Sequence, residues 1–186
     1  MAINYPTSLD TFTDPTATSL LTSPSHSGLH TDINSAVEAL EYKVGIGNTV
    51  LGTFTTYTPT FNNLTVGNGT LTGAYCRVND FVYYYGKIVL GSTTVVGSAV
   101  EINLPINLHS TQQLTGQPIG MMTFYDASAA LFNQGDTISV ASATTVRVRP
   151  YLADQQYLRT GNLTANAPFT WTTGDVMYWN LYYRAA

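Results

Sequence analysis

At Gly45 the chain changes its hydrophobic period, and that switch limits what it can fold into. Before it, Ile33, Val37, Leu40 and Val44 are spaced by four, three and four residues, the repeat of one apolar seam along a helix. After it no helical period occurs, and β-branched and aromatic residues come in short runs divided by Gly, Asn, Asp and Pro. Asp32 or Thr31 suits the N-cap, because a side-chain oxygen there accepts a bond from an N–H that has no helical partner. Gly45 stands where a left-handed C-terminal residue is wanted, so the expected helix covers residues 32–45. Isolated helices below about 12–15 residues are marginal in water, and this one needs a partner surface. That surface is either its own β domain or copies of the same helix around a symmetry axis. Two heptads are short for a coiled coil, so the β domains would supply most of any such association.

Residues 1–31 have neither a helical period nor a long apolar run. Pro6, Pro15 and Pro24 fix φ and push the residue before each toward extended geometry. Ile3, Tyr5, Leu9, Phe12, Leu20, Leu21 and Leu29 are scattered apolar anchors among Thr, Ser and Asp. The segment lacks the basic and apolar regions of a signal peptide. It is expected to be an extended arm that lies along another protein or along neighbouring copies. A link at 46–55 follows the helix, and a β head is expected over 56–186.

In that head, Leu71–Val78 and Phe81–Leu90 flank Asn79-Asp80 and predict a hairpin. Ala99–Leu104, Ile119–Tyr125, Thr137–Val140, Thr145–Tyr151 and Val176–Tyr183 complete the expected strands, with 106–118 and 152–171 as loops. About eight strands at this spacing predict an antiparallel β-sandwich of jelly-roll type. The fold class is therefore mainly β, with an extended arm and one short α-helix in front. Val176–Tyr183 and Phe81–Tyr85 are apolar or aromatic on both faces, so both faces call for cover. Tyr83, Tyr85, Tyr178, Leu181 and Tyr183, together with the helix seam, are the expected contacts between subunits. Tyrosines suit interfaces that are apolar at the centre and wet at the rim.

Charge supports assembly. Only 10% of residues are charged, against about 25% in ordinary soluble domains. The net charge of −4 lies wholly in residues 1–52, and residues 53–186 sum to zero. No clustered Lys and Arg offer a footprint for nucleic acid. No run approaches 18 apolar residues, so no membrane-spanning helix is expected. Cys76 is alone and reads as a small buried hydrophobe, and the lack of a disulfide fits assembly in a bacterial cytoplasm.

Chemistry is sparse. His26 and His30 have the four-residue spacing of helical zinc pairs, but Pro24 and Gly28 argue against a helix there, and capping or packing is the expected role. Asp80, Asp126, Asp136, Asp154 and Asp175 mostly sit beside turn residues and are expected to bond local backbone. No nucleophile elbow, phosphate loop or metal-ligand spacing occurs, so no catalytic residue, cofactor or metal is expected. Trp171, Tyr157 and Phe169 lie in or near loops and would be the stacking residues of a sugar-binding site.

One resemblance bears on these expectations. The run from Asn4-Tyr5-Pro6-Thr7-Ser8-Leu9-Asp10 through Ser25-His26, Leu29-His30, Asn34, Ala36-Val37-Glu38-Ala39-Leu40-Glu41 and Lys43-Val44-Gly45 resembles the N-terminal module of tailed-bacteriophage virion proteins. These include tail-fibre-like, head-fibre and capsid-decoration proteins. The resemblance covers about residues 4–47 and implies a non-enzymatic virion protein. In it the arm would grip the major capsid protein or another virion protein, and a trimeric jelly-roll head would follow. Without a long shaft, capsid decoration or head fibre fits better than a tail fibre whose head binds a host-surface glycan or protein.

Overall fold

The computed structural model describes residues 26–44, 52–154 and 157–186. The chain divides into two units, Met1–Thr53 and Phe54–Ala186. The arm anchors Ile3, Tyr5, Leu9, Phe12, Leu20 and Leu21, and the expected C-cap Gly45, lie outside the described residues.

In the first unit, α1 spans His26–Val44 and starts six residues before the expected position. Thr31 and Asp32 are therefore inside the helix and are not its caps. Gly28 costs a helix interior about 1 kcal/mol relative to Ala, which is too little to stop it there. Ser35 turns its hydroxyl back to donate to the Thr31 carbonyl at 2.9 Å. Ile33, Val37 and Leu40 lie on one stripe and are exposed by 52, 47 and 51%.

The described residues of the second unit form ten strands: β1 Thr55–Thr56, β2 Phe61–Thr65, β3 Thr70–Val78, β4 Phe81–Val89, β5 Val95–Asn103, β6 Pro118–Asp126, β7 Leu131–Ser139, β8 Thr145–Asp154, β9 Tyr157–Thr160 and β10 Val176–Arg184. They form one sheet in the order β1-β3-β4-β10-β6-β7-β8-β5-β2, with β9 beside β8. Every pairing is antiparallel. The expected mainly β class is what the chain adopts. Its two-layer packing is realised by a single sheet curled into a half-barrel.

The curl closes through one stretch of chain. β1 and β2 lie at opposite ends of the strand order, yet only four residues separate them. Buried Pro59 sits at the corner. Before it, the Tyr57 N–H donates to the Gly73 carbonyl at 2.9 Å; after it, the Thr60 carbonyl accepts from the Asn103 N–H at 2.9 Å. Proline suits a place where a strand leaves one ladder for another, since it has no N–H to leave unpaired.

Strand alternation sends one set of side chains inward. Val82, Tyr84 and Ile88 of β4, Met122 and Phe124 of β6, Val146 and Val148 of β8, and Met177, Trp179, Leu181 and Tyr183 of β10 are all buried in a single core. Trp179 is the largest of them. It fits because Gly73 and Gly86, paired across β3 and β4, leave the inner surface bare. A Cβ on Gly86 would run into the Trp179 ring and come within 2.7 Å of the Thr72 carbonyl. A Cβ on Gly73 would meet Pro59 and the Tyr57 carbonyl at 2.9 Å. One glycine admits the tryptophan and the other admits the closing segment.

The hairpin at Asn79-Asp80 forms as expected, with Asn79 at φ 53°, the conformation a two-residue hairpin loop needs. Three expectations change. β7 begins at Leu131, because Gly135-Asp136 lies mid-strand; Gly135 is bare so that the Phe124 ring can approach it. β9 occupies part of the expected loop 152–171. Leu181 and Tyr183 belong to the core, at 0 and 1% exposure, and are not contacts between subunits; they share the inward parity of Trp179.

Gly86→Ala and Gly73→Ala should each lower unfolding free energy by about 1–3 kcal/mol through overpacking. Trp179→Ala should cost about 3–5 kcal/mol. Urea unfolding followed by tyrosine fluorescence measures all three, and unchanged midpoints for the glycine variants would contradict the packing described.

Candidate functional site

The outward parity of the same strands builds a second surface. Phe81, Tyr83 and Tyr85 of β4 stand on the outer face beside Tyr182 and Tyr178 of β10, with Met121 of β6 next in line. Tyr83 pairs with Tyr182 across the ladder, and their rings stack at 5.0 Å. Phe81 stacks on Tyr182 at 6.5 Å, and Phe54 sets its ring edge-on to Tyr83 at 5.8 Å and Tyr85 at 5.3 Å. The Tyr83 hydroxyl donates to Asn180 Oδ1 at 2.9 Å. Phe54, Phe81, Tyr85, Met121, Tyr178 and Tyr182 are nonetheless exposed, from 36% at Tyr178 to 63% at Met121. Tyr125 and Phe132, with centroids 4.7 Å apart, extend the row onto β7. Burial, and then the neighbouring tyrosines 182 and 85, push the Tyr83 hydroxyl above its usual pKa. Cys76 is half-buried and pairs with Tyr83 on this outer side, so it is not a core residue.

Beyond β7 the outer face becomes polar. Glu101 of β5 meets Arg147 of β8 at 2.8 Å and accepts from Asn62 of β2 at 3.2 Å. Asp136 of β7 lies opposite Arg149 of β8, mid-strand instead of at the expected turn. Arg149 donates to the carbonyl and hydroxyl of Thr160 at 3.0 and 2.9 Å. Asp126 and Asp80 have structural roles, and the side chain of Asp154 lies outside the described residues. Asp126 accepts from the N–H groups of Ser128 and Ala129, as turn chemistry predicts. Asp80 pairs with Arg184 at 3.0 Å.

Asp175 does more than its expected local bond. It is wholly buried, and its carboxylate accepts from the N–H of Thr172 at 2.6 Å and from that of Ala127, far along the chain, at 2.9 Å. It fixes the wall of a cleft of about 390 Å³ lined by Leu90, Val96 and Trp171, with the hydroxyl residues Ser92, Thr94, Thr172 and Thr173 at its margin. Trp171 packs against Phe169 at 4.4 Å, and its indole N–H donates to the Thr164 carbonyl at 3.0 Å. Among the described residues no charged side chain lines this cleft. Of the three aromatics expected near a sugar site, the structure brings Trp171 and Phe169 together; the side chain of Tyr157 lies outside the described residues.

In α1, His26 and His30 are one helical turn apart on an exposed surface, contrary to the expectation that this segment is not helical. Their Nε2 atoms are 3.1 Å apart. Among the described residues no group of three or more His, Cys, Asp or Glu is placed to hold a metal ion, and no helix is long and apolar enough to cross a membrane. Compared with protein-family models, curated proteins and solved structures, the chain matches none.

The Glu101–Arg147 pair yields a pH dependence. Burial works to raise the Glu101 pKa, but hydrogen bonds from Arg147, Asn62 and Thr145 outweigh it and hold the carboxyl below its usual value of 4.5. A depressed carboxylate contributes stability above the unfolded-state pKa and loses it as pH falls through the folded one. At Asp136 burial wins over the attraction of Arg149 and raises the pKa, so protonation there is favoured and relieves a cost instead. Glu101→Gln should therefore lower stability at pH 7 by about 1–2 kcal/mol and flatten the loss between pH 7 and the acid range. Urea unfolding of both proteins across that range checks this; parallel curves for the two would contradict it.

Proposed function

We propose that this chain is a non-enzymatic structural subunit that self-assembles, as a homotrimer, and decorates or projects from the capsid of a bacteriophage virion. The observation that carries the assembly part is the exposed aromatic row on the outer face of β4, β10 and β6. Contiguous exposed apolar surface of this kind marks an interaction site. Tyr and Phe supply large contact areas there, with polar tips that tolerate a wet rim. A head with zero net charge has little electrostatic repulsion between copies to overcome. The virion part and the threefold symmetry are supported by the resemblance of residues 4–47 alone. In this reading the arm attaches the subunit to the major capsid protein or another virion protein.

The cleft at Trp171 favours a second reading, a small tail-fibre or tail-tip protein whose head binds a host glycan. Its Trp171 ring, which packs on Phe169, its threonine and serine hydroxyls and its uncharged described lining suit a neutral polyhydroxylated ligand.

Light scattering on the full chain at micromolar concentration should give the mass of three chains of 20.1 kDa, and Tyr85→Lys with Tyr182→Lys should lower it. A monomeric wild type would overturn the assembly. Deletion of residues 1–31 should leave an oligomer that no longer attaches to particles. Antibody against the head should label capsids of intact virions; label confined to tails would overturn the capsid reading in favour of the second.

A further inference from the structure

We infer that His26 and His30 are the metal-binding end of a self-associating helical seam, and that copies of this chain complete one shared site for a divalent transition-metal ion. The inference rests on the self-assembly proposed above and extends it to a ligand.

The seam is longer than its apolar part. Counting back from Ile33, His30 is three residues earlier and His26 four more. Along α1 the positions 26, 30, 33, 37, 40 and 44 repeat at four, three, four, three and four, so both histidines occupy core positions of the same heptad pattern. His26, His30, Ile33, Val37 and Leu40 are all exposed, on a stripe running from the start of the helix to Leu40. The occupant that matches this stripe is another copy of it. Positions flanking the seam are Ser27, Leu29, Asn34, Ala36, Glu41 and Lys43, one acid and one base. Asp32 and Glu38 fall on positions away from it. Adjacent copies would therefore meet without like charges along their flanks. Six core positions double as a length argument, since α1 has 19 residues and exceeds the marginal range of about 12–15.

The histidine geometry points to a metal. Backbone rise would put residues four apart about 6 Å from each other along the axis. The two Nε2 atoms instead converge to 3.1 Å in a hydrogen bond between the rings, whose place an ion would take. With metal–nitrogen bonds of about 2.05 Å, two nitrogens at that spacing subtend about 100° at one ion, between octahedral and tetrahedral angles. Imidazole suits Zn, Cu, Fe and Ni. One chain provides two ligands and no third lies near among the described residues, so neighbouring copies must supply the rest. Polar residues at core positions of a coiled coil also set register and copy number, which would align the subunits at the arm end of the seam.

The test uses the full chain with Ni²⁺ as probe, after removal of metal with EDTA. Light scattering first gives the number of chains per particle. Isothermal titration should then show one Ni²⁺ per particle, not one per chain. His26→Ala and His30→Ala should each weaken binding by about tenfold or more, the scale on which even outer-shell partners act. His109→Ala should leave binding unchanged. An oligomer that binds no Ni²⁺, or binds it undiminished in both variants, overturns this inference and leaves the assembly proposal standing. One ion per chain overturns the sharing. A monomer, with or without Ni²⁺, overturns both.

Discussion

A sheet that curls around one core has a single concave surface to fill, and every second residue of every strand is committed to filling it. Trp179 is the centre of that commitment. Its ring occupies the space left bare by Gly86, it meets Phe61 of the closing strand edge-on at 5.8 Å, and Tyr84 lies against it at 6.0 Å. Once Trp179 points inward, the parity of β10 is fixed: Leu181 and Tyr183 follow it, while Tyr178 and Tyr182 must face out. The antiparallel register carries the same decision to β4 and β6. The exposed aromatic row is thus a consequence of how the core is filled, combined with a sequence that puts aromatic residues on both parities.

This is where reasoning from sequence was strongest and where it stopped. Two-faced strands at Phe81–Tyr85 and Val176–Tyr183 were visible as patterns. Which residues faced which way was not, because alternation is symmetric until one residue is anchored, and nothing local distinguishes Leu181 from Tyr182. The closing segment was invisible for a different reason. Thr56 onward belongs to the expected β head, but the runs on either side of Pro59 are too short to define strands by themselves, and β1 and β2 form by pairing with β3 and β5. Gly135-Asp136 misled in the opposite sense: a turn pair by composition, it is mid-strand because Phe124 needs the space above Gly135.

The helix shows the same limit. Four apolar positions were enough to define a seam, while Gly28 hid its extension. With α1 running from His26, the His26 and His30 pair expected to cap or pack becomes the next two positions of one repeat. A local penalty of about 1 kcal/mol at a glycine is easily outweighed by continuation of the helix around it. The charge distribution fits the division of labour: acids are concentrated in the arm and helix unit, and the β unit carries none in excess.

The central claim is that the outer aromatic face is covered in the assembled protein. Hydroxyl-radical footprinting read by mass spectrometry measures this directly at Tyr85, Tyr178 and Tyr182, with the core residue Tyr183 as reference. The account predicts that the three become protected at concentrations where the chain is oligomeric and reactive on dilution, while Tyr183 stays protected throughout. Equal, high reactivity of all three at every concentration would contradict it.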